Sequence, residues 1–187
     1  MSLTRILLPF PTIVKFILFS FINFNIFFLF GYTINKQIME VSMDNQNLNV
    51  LDEINKGATM GMDAISFISQ KVEDNQFKNI LKTEYNKYKD ISARVNKLYN
   101  NFATNKEPHE TNTMNKMMTW YGIQMKTMTD DTTSKLSELL MQGTNMGIIE
   151  GRRLINQNTN VSSDVKNILH DFVTMQEDSV ETLKKYL

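Results

Sequence analysis

Glu84 is the residue that most needs a chemical explanation. It belongs to the series Phe77, Leu81, Glu84, Tyr88, Ile91, Val95, Leu98, Phe102. Steps of four and three put all of these on one face of a helix. Every other member is apolar or aromatic, so the carboxylate lies on a stripe that should be buried, where an unpaired charge is costly. It calls for a metal ion or for a cation. Lys87, or an arginine from another helix, would neutralise it in an ion pair. The rest of the chemical inventory is narrow. The 187 residues contain no cysteine and two histidines, His109 and His170, which removes thiolate chemistry and restricts histidine-based catalysis. Thirteen methionines could supply thioethers to copper(I), but methionine at helical spacing more often fills a core or a partner-binding face. No phosphate-binding glycine loop, zinc motif or nucleophile–histidine–aspartate set occurs. Twenty basic and twenty acidic residues cancel, so no charge excess points to nucleic acid.

The elements that carry Glu84 repeat. An earlier apolar series, Leu51, Ile54, Ala58, Gly61, Ile65, Ile68 and Val72, also has helical spacing. Glu73-Asp74-Asn75 separates it from the second series and supplies cap-forming side chains. Together they predict an antiparallel helical hairpin. Phe77 to Leu81, FKNIL, returns as VKNIL at Val165 to Leu169, an offset of 88. Gly57 and Gly61 in GATMG return as Gly143 and Gly147 in GTNMG, an offset of 86. The chain is thus expected to contain two copies of one hairpin, differing in length at the turn. Glycine within a helix costs about 1 kcal/mol relative to alanine. Four glycines at matching places are expected to be offset by close helix–helix approach, with Gly57, Gly61, Gly143 and Gly147 on one shared interface.

Between the copies, Pro108 stops the second helix. Met114 to Met128 has the pattern of a short crossover helix, and Thr129 to Thr132 that of a turn and N-cap. Asn156 to Ser163 reads as the last turn, with Ser162 or Ser163 as cap. Trp120, Tyr121 and the neighbouring methionines would form the contact surface for self-association, since such residues are enriched at interfaces.

Residues 1–42 read as a separate segment from the body at 43–187. The run from Ile13 to Ile34 is apolar over a length that suits a bilayer span of roughly 20 residues, with Lys15, Tyr32 and Lys36 at its edges. Met39-Glu40-Val41 also back-translates to a sequence containing GGAGGT, a bacterial ribosome-binding sequence, just before Met43. Two expectations follow. Either residues 1–42 anchor a single-pass membrane protein, or they are translated leader DNA and a cytoplasmic protein starts at Met43.

Two hairpins joined by a long crossover resemble the ferritin-like superfamily. LDEINKGATMGMDAI, MMTWYGIQMKTMTDDTTSKLSELLMQGTNMGIIEG and ETLKKYL are similar to a branch of it in clostridia and related bacteria. The resemblance covers about residues 48–187. It implies an all-α four-helix bundle with an extra crossover helix, and in catalytic members a pair of iron or manganese ions. Those are held by one Glu on each of two helices and Glu-x-x-His on each of the other two. Carried over, the pattern implies Asp63, Glu84, Glu150 and Glu177 as metal ligands. Lys87 and Val180 stand where the histidines belong. The expectation is therefore a degenerate metal site in a non-enzymatic bundle with a structural or protein-interaction role. The alternative is a divergent di-metal oxidase or metal-storage protein binding Fe or Mn.

Overall fold

In the computed structural model the described residues are 12–103 and 132–187, with side chains described from residue 32 onward. They form four α-helices and no strand: α1 (Thr12–Ser69), α2 (Asn75–Tyr99), α3 (Thr133–Gln157) and α4 (Ser163–Leu183), then a short 3-10 turn at Lys184–Tyr186. The fold class is all-α, a four-helix bundle. The chain divides into two compact units, Met1–Ser42 and Met43–Leu187. In the first unit, Tyr32, Ile38, Met39 and Val41 of α1 are exposed. The apolar run expected to span a bilayer, Ile13 to Ile34, lies mostly outside the residues with described side chains. Among the described residues no helix is long and apolar enough to cross a membrane. The crossover helix expected at Met114 to Met128, with Trp120 and Tyr121, also lies outside the described residues.

In the second unit each helix start is fixed by a side chain that accepts from otherwise orphaned backbone N–H groups. Asp74 caps α2, its Oδ1 accepting from Gln76 N at 2.6 Å and Phe77 N at 2.9 Å. Thr132 caps α3 through the Lys135 N–H at 3.3 Å. Ser162, rather than Ser163, caps α4 through the Val165 N–H at 3.3 Å. The helices then bury the stripes that the sequence marks. On α2 the buried residues are Phe77, Leu81, Glu84, Tyr88, Ile91, Val95 and Tyr99. The expected stripe is right up to Val95 and drifts at its end. Tyr99 is buried instead of Leu98, and Phe102 falls in the turn after the helix. A straight α-helix has 3.6 residues per turn, so steps of four and three move off a fixed face over several turns.

The repeat is visible in burial. Moving 88 positions along from Phe77, Leu81, Glu84, Tyr88, Ile91 and Val95 gives Val165, Leu169, Phe172, Gln176, Ser179 and Leu183, and each is buried on α4. Contacts also fix the directions of the helices. Phe77 stacks near Tyr186 with ring centroids 4.8 Å apart, and Tyr88 meets Phe172 edge-on at 6.5 Å, while Arg94 pairs with Asp171. As one number rises the other falls, so α2 and α4 run antiparallel. Ser92 donates to Asn55 Oδ1 at 2.7 Å, and Tyr88 lies against Gly61, which makes α1 and α2 an antiparallel hairpin. Ser137 donates to the Leu183 carbonyl at 2.8 Å and Gly147 faces Gln176, so α3 and α4 form the second hairpin. By contrast Asn47 lies by Ser162 and Gly57 by Phe172, a constant spacing that makes α1 and α4 parallel. It follows that α2 and α3 also point the same way. Ala103 and Thr132 therefore lie at opposite ends of the bundle, which is a crossover connection rather than a simple up-and-down turn.

Candidate functional site

Glu84 is 3% exposed on α2, so its charge must be met inside the bundle. Lys87, one turn on, reaches Oε1 at 2.8 Å. Ser179 of α4 donates to Oε2, and its hydroxyl lies 2.8 Å from the Met175 carbonyl. A cation and a hydroxyl from this chain thus engage both carboxylate oxygens. The ammonium is not deeply buried, since the Lys87 side chain is a third exposed. It reaches inward along the surface and keeps contact with water.

Two of the other expected ligands are paired with arginines. Glu150 pairs with Arg153 one turn along α3, and Glu177 pairs with Arg152 across to α3 at 2.7 Å. Asp63 is half-buried on α1 and is itself engaged in an interaction. Among the described residues, no three histidine or carboxylate side chains come together in a group able to hold a metal ion. His170 is exposed on α4, and His109 lies outside the described residues.

Beside Glu84 is a group that the sequence reading took only as part of an apolar stripe. Tyr88 is fully enclosed, and burial pushes its phenol up to about 12, helped by the negative charge of Glu84 and opposed by a hydrogen bond with the Thr144 side chain. The phenol is therefore neutral throughout the physiological range. Gln176 is also buried and donates from Nε2 to the Phe172 carbonyl at 3.3 Å. No buried side-chain nitrogen or oxygen among the described residues lacks a hydrogen-bond partner. Tyr88, Thr144, Gln176 and Ser179 were missed because only Glu84 looked out of place on its own stripe. The offset of 88 would have found two of them, since it sends Tyr88 to Gln176 and Ile91 to Ser179.

The glycines face side chains where backbone was expected. A Cβ on Gly57 would lie 2.8 Å from the Phe172 ring, and one on Gly61 would lie 2.5 Å from the Tyr88 ring. One on Gly147 would strike the Gln176 amide, and one on Gly151 a Val173 methyl. The missing side chains thus let large groups of α2 and α4 reach over α1 and α3. Gly143 is buried. Gly57, Gly61, Gly143 and Gly147 all line one cavity of about 330 Å³ within the second unit. Leu81, Glu84, Tyr88, Phe172, Gln176 and Ser179 form part of its wall. The repeat runs through that wall: Gly57 matches Gly143, Met60 matches Met146 and Gly61 matches Gly147 at 86, while Glu84 matches Phe172 and Tyr88 matches Gln176 at 88. The cavity thus lies where the two copies meet. Its volume is within the usual range for small-molecule sites, about 300–1,000 Å³.

Compared with known proteins, the chain matches no family model, no curated sequence and no solved structure.

Proposed function

We propose that this chain is a non-enzymatic helical bundle with a structural or protein-interaction role, working as a self-associated assembly. One observation carries this reading. The carboxylate that would anchor a metal centre has its oxygens engaged by Lys87 and Ser179. In the catalytic pattern of the ferritin-like superfamily, metal ions fill that role. The parallel course of α2 and α3 supports the resemblance to that superfamily, since a single long crossover is its usual connection. The high phenol pKa of Tyr88 also suits a passive interior, because a general base must lose its proton near working pH. Self-association would draw on the crossover segment with Trp120 and Tyr121. Ile149, at 59% exposure on α3, is a further apolar contact point.

Elemental analysis of the purified full chain, paired with light scattering, tests the proposal. The expected result is a mass above that of one chain and no stoichiometric iron or manganese. Stoichiometric iron or manganese that disappears in Glu84→Ala would replace this reading with the di-metal oxidase or storage protein. A monomeric mass would remove the self-association.

A further inference from the structure

The cavity between the two copies differs from a packing defect in how its chemistry is arranged. Most of its wall is apolar, with Ile65, Leu81, Leu140, Leu154 and Phe172 among the lining residues. Its charged lining residues are Glu53, Lys56, Glu84 and Glu150, three carboxylates and one ammonium. Lys56 is already bonded to Glu53, at 3.1 and 3.2 Å. Glu150, at the exposed rim, pairs with Arg153. Glu84 is the charged group on the buried side of the cavity. Its ion-pair partner Lys87 is not part of the wall, so the ammonium approaches Glu84 from outside the lining, whereas Ser179, on the other carboxylate oxygen, belongs to it.

We infer that this cavity binds an apolar primary amine, its hydrocarbon part against the aliphatic wall and its ammonium at Glu84. Three features select that class. An ionised carboxylate offers about four lone-pair positions. Lys87 and Ser179 take one each, so acceptor capacity remains for an N–H donor. The Tyr88 and Phe172 rings, edge-on to each other at 6.5 Å, both line the cavity, and Tyr88 is near enough to Glu84 to feel its charge. Aromatic faces attract a cation within about 6 Å. Because Tyr88 holds its proton up to about pH 12, the phenol adds no competing charge. A carboxylate ligand would meet repulsion from Glu84, and an alcohol could donate to it but would bring no positive charge to the carboxylate or to the ring faces.

The test is calorimetric titration of the full chain with three probes that share one hydrocarbon tail: n-octylamine, n-octanol and octanoate. The amine is expected to bind at least tenfold more tightly than the alcohol, and octanoate most weakly. Glu84→Gln keeps the shape and removes the charge. It should bring the amine to the level of the alcohol, with a much smaller loss for the alcohol. Ala64 is buried and lines the cavity, so Ala64→Phe should fill the space and abolish binding of both. Equal affinity for the three probes, binding of none, or amine binding that survives Ala64→Phe would each overturn the proposal. The comparison of head groups on the unaltered chain decides the matter even where a variant fails to fold.

Discussion

Tyr88 ties the interior to pH. Its phenol is raised from 10.0 to about 12 by burial, with Glu84 acting in the same direction. In the unfolded chain it loses its proton at the lower value. The unfolded state is therefore favoured progressively once the pH passes 10, and the folded state gives up this part of its stability as pH climbs toward 12. Below 10 the contribution is fully present. Thermal melts between pH 9 and 12 should show a fall in midpoint that is smaller in Tyr88→Phe, which has no proton to lose. An identical fall in both proteins would mean that other groups control alkaline unfolding. Glu84 was legible as an anomaly in the sequence because one carboxylate interrupted an apolar series. Its partners were only half legible. Lys87 is three residues away and was named as one candidate. Ser179 comes from a helix 95 positions on, and its hydroxyl is small enough to pass unnoticed on an amphipathic face.

At the scale of helices, the glycines are not equivalent. At Gly61 three atoms of the Tyr88 ring lie within 2.7 Å of where a Cβ would stand. That ring is buried, is tethered by its hydrogen bond with Thr144, and cannot turn aside as the end of a flexible chain can. Gly61→Ala should destabilise by up to about 2 kcal/mol, because overpacking costs about 1–3 kcal/mol and the gain in helix propensity is about 1 kcal/mol. At Gly147 the obstacle is the tip of Gln176, a side chain with rotatable bonds beside an open cavity. Gly147→Ala should stay within about 1 kcal/mol of the parent, as the propensity gain offsets a rotamer change. Urea denaturation of both variants checks the contrast; equal losses would mean that the helix backbones, not the side chains facing them, set the cost. A glycine in a sequence shows that something approaches closely. It does not show what, which is why backbone was expected and aromatic rings were found. The α2 stripe was readable because burial follows helical periodicity, and it failed only in the last turn, where the period drifts.

For the whole bundle, the hairpins were legible because each is local, and the crossover connection because Pro108 and a linker long enough to run the length of a bundle separate the copies; the helix expected within that linker lies outside the described residues. The cavity was not, since a void belongs to no residue and exists only once four helices are placed. Nor was the contact that joins the first helix to the last turn. Asn47, 1% exposed, accepts from the Ser162 N–H at 2.8 Å across 115 positions. Nearby, Gln46 donates to Asn158 Oδ1 at 3.3 Å. Asn47→Ala would leave that amide without its acceptor and should cost about 1–3 kcal/mol. Because the bond closes the bundle instead of holding one hairpin, the loss should appear in one cooperative unfolding transition. Two separated transitions would show that the hairpins melt independently.

The mismatch at equivalent places, Glu84 against Phe172 and Tyr88 against Gln176, has a consequence for occupancy. A bundle of two matching halves would offer a guest two orientations related by half a turn, with nothing to choose between them. Here one half presents the acid and the other a hydrocarbon ring, so the two orientations differ in energy and a guest with a polar head and a greasy tail should lie one way only. Duplication supplied the chamber, and divergence of the copies gave it a direction.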